Sequence, residues 1–314
     1  MQREVELSII VVSYNTKQMT LECLRSLAAE TTVPYELLVV DNDSSDGSPE
    51  AIAAEFPDAR LFALDENLGF ARANNHAVVR ATGRYVLLLN PDTLVLDGAV
   101  DKLLAFAQAQ PEARIWGGRT LFADGSLNPT NCYRRMTLAG VLLQATGLNS
   151  VFRNSELMNP EGYGGWPRDS EREVDIVTGC FLMIERTFWN ELGGFDESFV
   201  MYGEEADLCL RARALGARPR VSPEPQIVHY GGGSQVRADK LVRLLKAKVT
   251  LIRRHFPSAQ TGLGVALLRL WPYSRMLATR LLSRTEGYKM WREVWTRRGE
   301  WAGGYEGRLP GQAG

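Results

Sequence analysis

The amino-acid sequence predicts an α/β protein with a doubly wound, mostly parallel sheet, followed by a basic helical extension. Three observations carry that expectation. Apolar runs at 7–12 and 85–89 mark strands covered on both faces, the latter with no alternation at all. Helix-length segments separate the first four strands, which demands crossover connections and parallel pairing. Polar side chains then end successive strands: Asn15 after the first, Asp41 after the second, Asn90 and Asp92 after the fourth. In open α/β sheets that carboxyl edge is where ligands collect.

In chain order, LSIIVV at 7–12 forms the first buried strand, and a helix over 17–29 sets Met19, Cys23, Leu24 and Leu27 on one apolar face. A second strand, 36–40, runs into DNDSSDGSPEAI, where Ser48 is placed to cap a helix and Pro49 to fill its first position. A third strand covers 59–64, and a helix over 69–81 precedes Gly83. The fourth strand, 85–89, ends in Asn90-Pro91-Asp92. Pro91 cannot donate to a ladder, so pairing stops there. Asn-Pro-Asp is also good turn chemistry, so a plain turn competes with a ligand site. No Gly-x-Gly-x-x-Gly follows the first strand, which removes the dinucleotide-binding fingerprint.

After a helix over 97–110 the pattern loosens. Residues 122–172 are rich in Gly, Pro, Asn and Arg around NPEGYGGWPRD, and predict a mobile functional loop or a poorly ordered one. Order resumes with a strand in DIVTGCFLMIE, a helix over 204–216, and strand-like ARPRVSP and QIVHY. From Arg237 onward, Lys and Arg are set among Leu, Trp and Tyr with few acids. Such a stretch is either a solvated helical face or a basic amphipathic surface for anionic lipid. Trp271, Trp291, Trp295 and Trp301 favour lipid, because indole prefers interfaces.

The bulk numbers exclude several classes. A hydrophobic fraction of 45% and a charged fraction of 23% are those of a globular chain. A net charge of −1 excludes a globally basic nucleic-acid binder. The four cysteines, Cys23, Cys132, Cys180 and Cys209, form no Cys-x-x-Cys pair and are expected as small core residues in a reducing compartment. No signal-peptide h-region follows Met1, and the best apolar run, 262–271, is broken by Arg269, well short of the ~18–20 residues that span a bilayer. A cytoplasmic protein is expected, with the tail as a route to the inner membrane face.

Acids and amides converging on one sheet edge predict a polar, metal-capable site. Hard oxygen ligands suit Mg²⁺ or Mn²⁺, and a nucleoside diphosphate is the natural guest. A second cluster is MYGEEADLCLRARALG. Leu208, Cys209, Ala212 and Leu215 form an inward stripe, and Glu205 precedes the first two by three and four residues. Glu205 is therefore expected on the buried side, where desolvation raises its pKa and makes it a candidate general base. Glu204 and Asp207 suit the helix dipole, and Asp207 can pair with Arg211 at i, i+4. Of the three histidines, His76 and His255 fall in helical patterns and are expected to be structural. His229, beside GGGS, is a fair metal ligand.

These stretches resemble family-2 glycosyltransferases of the GT-A fold, in the rhamnosyltransferase-like branch. The matching segments are SIIVVSYNT, VVDNDSSDGS, ENLGFARANN, GRYVLLLNPDT, TGCFLMIERTFWNELGGFDESFVMYGEEADLCLRARALG and VHYGGGS, in the family's order over 7–235. The resemblance implies inverting transfer of a sugar from a nucleotide sugar to a hydroxyl of a glycan or lipid-linked acceptor. Asn90-Pro91-Asp92 takes the place of the family's Asp-x-Asp, so Asp92 would hold the metal, with one anionic ligand fewer. His229 matches the second metal ligand, and Asp41 the acid that reads a pyrimidine, with Ser13 and Asn15 beside it. Arg72 and Asn75 fall in the donor-lining segment. Glu205 stands where the family's base is usually Asp, one methylene longer, with Glu204 as the fallback. The implied division is a nucleotide-sugar half at 1–95, an acceptor and catalytic half at 96–235, and the helical extension at 236–314. The loop at 122–172 would border the acceptor. The implied donor is dTDP-L-rhamnose first, then a UDP-hexose.

Two other classes compete. A sugar nucleotidyltransferase would want a basic, Gly-rich triphosphate loop near the N-terminus, and none is present. A non-catalytic nucleotide-sugar binder would keep the donor site and show no turnover.

Overall fold

The strand at Leu7–Ser13 (β1) is buried along its whole length, which is why its sequence shows no alternation. In a computed structural model describing residues 5–231 and 238–305, β1 pairs in parallel with Tyr35–Asp41 (β2) and Tyr85–Leu89 (β4), and β2 with Arg60–Ala63 (β3). The crossovers are Lys17–Glu30 (α1), Ser48–Glu55 (α2) and Gly69–Val78 (α3). α1 buries Cys23, Leu24 and Leu27 as its apolar spacing predicts. α2 starts one residue earlier than expected. Ser48 is its first helical residue, Gly47 turns at φ +78°, and the Asp46 carboxylate accepts from the Ser48 amide at 3.0 Å.

Beyond β4 the sheet becomes mixed. Thr93–Leu96 (β5), Ala99–Ala109 (α4), Ile115–Leu121 (β6), Leu127–Asn128 (β7) and Cys132–Tyr133 (β8) follow in sequence. Later come Arg172–Glu173 (β9), Ile176–Val177 (β10), Phe181–Glu185 (β11), Arg186–Leu192 (α7) and Arg220–His229 (β12). The strand order is β3-β2-β1-β4-β11-β6-β12-β5, with β11 antiparallel to β4. The single strand expected in DIVTGCFLMIE is two, β10 and β11, which pair with different neighbours. Conversely, ARPRVSP and QIVHY are one strand, β12, whose register on β6 shifts between Val221 and Gln226. A Cβ at position 118 would lie 2.3 Å from the Pro225 carbonyl, so that shift requires Gly118.

The chain divides into two compact units. The first comprises Met1–Tyr133, Pro167–Glu197 and Leu208–Gly232; the second comprises Arg134–Trp166, Ser198–Asp207 and Gly233–Gly314. The boundary expected at 235/236 lies outside the described residues. The sheet and its core, from Leu7 through Trp116 to Ile227, belong to the first unit. All four cysteines are free and buried, as expected.

The second unit is helical. It contains Leu138–Thr146 (α5), Leu148–Val151 (α6), Ala238–His255 (α9), Ser258–Leu281 (α10), Thr285–Thr296 (α11) and Arg298–Trp301 (α12), together with the start of Glu204–Ala214 (α8). The 122–172 stretch is thus ordered over much of its length, against expectation. Thr137 accepts from the Gly140 amide to cap α5, and Val141 enters a core with Leu245, Ile252, Leu268 and Trp301. Three of the four tryptophans are also placed differently, while Trp295 is partly exposed with its ring 5.1 Å from that of Tyr273. Trp301 is fully buried and donates to the Val294 carbonyl, and Trp271 and Trp291 lie 5.6 Å apart against the same core. The reason is size: a small helical unit needs large aromatic surfaces to exclude water. Trp301→Ala should accordingly destabilise the protein by about 3–5 kcal/mol in urea unfolding. A change within about 0.5 kcal/mol, typical of a surface position, would contradict this packing.

Candidate active site

In the first unit, β1 and β2 end level, with Ser13 opposite Asp41. Asp41 is 1% exposed. Its Oδ2 accepts from the Ser44 amide at 2.9 Å, while its Oδ1 is buried with no partner. An unpartnered buried carboxylate oxygen costs about 1–3 kcal/mol, and a donor such as a base N–H would satisfy it. Asn15, at φ +51°, accepts through Oδ1 from the Ser45 amide, and its own amide donates to Ser44 Oγ. Asn15 therefore holds the 44–45 turn beside Asp41. The Ser13 hydroxyl is engaged with Thr16 and Thr20, so its bonds are internal.

Asn42 continues this floor: its side chain donates to Asn67 and accepts from the Leu68 amide. Sequence reading missed Asn42, although its place directly after Asp41 in VVDND was a signal. The expected donor-lining pair, Arg72 and Asn75, is carried by α3 and meets the 194–197 segment. Asn75 both donates to and accepts from the Phe195 backbone at 2.9 Å, which makes it a clasp on the 194–197 segment. Arg72, half-exposed, lies 3.7 Å from Glu197.

The Asn90-Pro91-Asp92 segment is a turn that also presents a carboxylate. The Asn90 amide donates to the Cys180 carbonyl, and its own carbonyl accepts from the Thr93 hydroxyl at 2.7 Å. The chain then enters β5, where Thr93 faces His229 across an antiparallel ladder. That register brings Asp92 Oδ1 to 3.4 Å from His229 Nε2, with both side chains about 15% exposed or less. His229 Nδ1 is buried without a partner. Burial by itself would lower the His229 pKa, but the sulfur of Cys180 and the Asp92 carboxylate outweigh it and push the imidazolium up to about 10. Cys180 was expected only as core, and its place beside His229 follows from the break between β10 and β11. The flanking Gly232 and Gly233, expected to open access to His229, lie outside the described residues.

No cluster of three or more His, Cys, Asp or Glu able to hold a metal occurs among the described residues. Asp92 and His229 make a pair of one hard oxygen and one imidazole. Such a pair fits Mg²⁺ or Mn²⁺ in sites where water and substrate phosphates complete the shell.

In the second unit, α8 begins after two left-handed residues, Tyr202 at φ +69° and Gly203 at φ +93°. A Cβ on Gly203 would also meet Phe199 at 2.9 Å and Ala247 at 3.1 Å, so this entry needs glycine. Glu204 is 5% exposed and so more deeply buried than Glu205, which was expected inward and is partly exposed with one carboxylate oxygen enclosed. The stripe of Leu208, Cys209 and Ala212 is buried as expected, but Leu215 is 55% exposed. Each glutamate has an enclosed Oε2 with no partner. Burial raises both pKa values, Glu204 well above the usual carboxylate range with the charge of Glu205 adding to the effect.

Asp207 corrects the sequence reading further. It is fully buried and meets His255 Nε2 at 2.8 Å and Arg254 at 3.7 Å. Arg211, its expected i+4 partner, donates instead to the carbonyls of Leu192 and Gly194. Nothing local in the sequence could connect Asp207 with a histidine on another helix.

A family model for glycosyl transferase family 2 matches residues 8–189. The chain belongs to this family. Among its curated relatives, the N-acetylglucosaminyl-diphospho-decaprenol L-rhamnosyltransferase of Mycobacterium tuberculosis is 28% identical over 255 residues, 74% of this chain and 78% of that protein. The O-antigen biosynthesis protein RfbC of Myxococcus xanthus is 30% identical over 244 residues, covering 75% of this chain and 18% of that protein. Among solved structures, a mannosyltransferase from Pyrobaculum calidifontis in complex with GDP-Man and Mn²⁺ superposes with a TM-score of 0.57 at 18% identity, covering 95% of this chain and 85% of that one. TarS 1–349 of S. aureus in complex with UDP gives 0.52 at 15% identity, covering 94% and 92%. These likenesses establish the GT-A fold, which agrees with the mixed sheet described above.

The Asp92–His229 geometry makes a direct prediction. In metal-free protein the raised His229 pKa contributes stability that is fully present below the ordinary value of 6.5 and is lost as pH rises through about 10. Asp92→Asn should lower the His229 pKa, read by NMR of the ring protons, and flatten the stability curve across that window. An unchanged titration would mean that the Asp92 carboxylate does not act on the imidazole.

Proposed function

We propose that this family-2 glycosyltransferase moves a sugar from a nucleoside diphosphate to an acceptor hydroxyl with inversion at the anomeric carbon. The observation that carries the reading is the apposition of Asp92 and His229 at the strand edge that also holds Asp41. Asp92 and His229 would hold Mg²⁺ or Mn²⁺. That ion would supply neutralisation of the charge developing on the leaving diphosphate. Asp41, with one carboxylate oxygen unpartnered, would accept from the pyrimidine ring. Ser13 and Asn15 would shape the turn around the base, Asn90 would set the direction of Asp92, and Arg72 and Asn75 would border the donor.

Glu205 would take the proton from the acceptor hydroxyl as it attacks. Its partial exposure lets an acceptor reach it, and its enclosed oxygen keeps the pKa high enough for basicity near neutral pH. Glu204, more deeply buried, is the alternative base, and its own pKa is raised by burial and by the charge of Glu205. The donor is dTDP-L-rhamnose, or a UDP-hexose as second choice, since Asp41 can bond either pyrimidine. The Mycobacterium relative's name supports L-rhamnose and a lipid-linked diphosphate acceptor, and the Myxococcus relative's name supports cell-surface glycan synthesis. A cytoplasmic enzyme meeting a lipid-linked acceptor at the inner membrane face fits both.

Three measurements test this reading. Glu205→Gln should cut transfer by about 10²–10⁴-fold with donor affinity unchanged, and Glu205→Asp should recover a large part of it. If Glu204→Gln is the dead variant and Glu205→Gln the active one, the base is Glu204. The pH profile should carry an acid limb above the usual carboxylate range of about 4.5, since activity needs the deprotonated form of a group whose pKa burial raises. A limb at or below that value would remove both glutamates as the base. Asp92→Asn and His229→Ala should each weaken Mn²⁺ binding in calorimetry with UDP present. Intact binding in Asp92→Asn would leave the segment as a turn only.

A further inference from the structure

Helix α10, in the second unit, packs one face into its core and leaves the opposite one bare. Gly264, Val265, Leu268 and Pro272 are buried. Leu263, Ala266, Leu270, Tyr273, Leu277 and Leu281 are exposed. They recur every three or four residues and so share one stripe, spanning about 80° of the helix circumference. Leu281 is 84% exposed and Leu282, just past the helix, 64%. The hairpin α5–α6, tied to α10 by Ser274 donating to the Ala145 carbonyl and Arg275 donating to Ser150 Oγ, exposes Val151 and Phe152 as well. Bare apolar surface on this scale marks an interaction site.

Along α10 itself the charge has one sign, the first acid after it being Glu286 in α11. Residues 258–285 contain no Asp or Glu and carry Arg269, Arg275, Arg280 and Arg284. Arg269, Arg280 and Arg284 are exposed, as is Arg153 next to Phe152. We propose that this face docks on an anionic bilayer, with α10 lying in the headgroup plane, its leucines in the acyl boundary and its arginines on lipid phosphates. No helix among the described residues is long and apolar enough to cross a membrane, so the contact is interfacial. A second copy of the chain could also cover a stripe with three-and-four spacing. Pairing α10 with itself, however, would set arginine against arginine with no carboxylate from the helix in answer, which selects lipid. The membrane face is thus the leucine and arginine stripe of α10, with Trp295 against its Tyr273, while Trp271, Trp291 and Trp301 serve the core.

The proposal stands apart from the sugar-transfer chemistry. Its test is co-sedimentation of the full chain with phosphatidylcholine vesicles that contain or lack phosphatidylglycerol. The protein should pellet only with the anionic vesicles and release as salt rises. Leu270→Gln, Leu277→Gln and Leu281→Gln combined should weaken vesicle binding about tenfold or more, with the thermal midpoint retained because all three positions are exposed. Arg280→Gln and Arg284→Gln should each cost about fivefold in vesicle affinity. Transfer to a water-soluble acceptor should be unchanged in all these variants, so loss of docking and loss of catalysis are separate results. Three outcomes overturn the proposal: absence of binding, equal binding to neutral vesicles, or binding that the glutamines leave intact. A dimer in sedimentation equilibrium that the glutamine variant dissolves would assign the stripe to a second copy and overturn it too.

Discussion

The candidate donor site depends on one constraint, the parallel register of β1 between β2 and β4. Ser13 lies opposite Asp41 and Val11 opposite Leu89, so all three strands run out at the same edge. Parallel strands need crossover helices, and those helices bury both faces of the sheet, which leaves only strand ends for polar chemistry. A slip of one residue in β2 would draw Asp41 back into the sheet and reverse the facing of every side chain on that strand. The apolar runs of β1 and β4 hold the register, and the polar residues that follow each strand are placed by it.

Each unit stores polar groups that lack partners. Among the described residues, in the first these include Asp41 Oδ1 and His229 Nδ1 beside Thr31 Oγ1, Arg119 Nε and Arg220 Nε, and in the second Glu204 Oε2 and Glu205 Oε2 beside Gln144 Oε1. Folding gains nothing from an enclosed carboxylate oxygen with no donor, and the cost is about 1–3 kcal/mol for each such group. Larger neighbouring interactions offset it. In the second unit Asp207 is bonded to His255 and approached by Arg254, which ties the first turn of α8 to α9. In the first unit the antiparallel pairing of β5 with β12 holds Asp92 against His229. Asp41 and His229 combine a missing partner with a place at the carboxyl edge of the sheet, a pattern found at functional positions.

Misread elements share a cause. The 122–172 stretch reads as a loop because its composition is rich in turn formers, yet α5 within it is capped by Thr137 and sends Val141 into a core built mostly from residues beyond 238. Trp301 reads as an interfacial residue because indole is amphipathic, and the same property lets it fill a core while its N–H finds the Val294 carbonyl. Asp207 reads as a surface acid because Arg211 stands four residues on. That arginine caps two carbonyls elsewhere, and a histidine 48 residues away takes its place. Local rules rank local partners, and here distant ones are better.

The sequence by itself determined the fold class, the four parallel strands and their crossover helices, the candidate residues at the strand ends, and the family. Those features rest on periodicity, crossover length and motif order, all of which are properties of contiguous chain. Only the tertiary structure decided that β11 enters the sheet beside β4, that Cys180 neighbours His229, that Glu204 is buried more deeply than Glu205, and that α10 shows an apolar face to the outside while Trp301 fills a core. Each of these depends on which distant segment covers a given surface. That choice is made by packing the whole chain, and no window of sequence contains it.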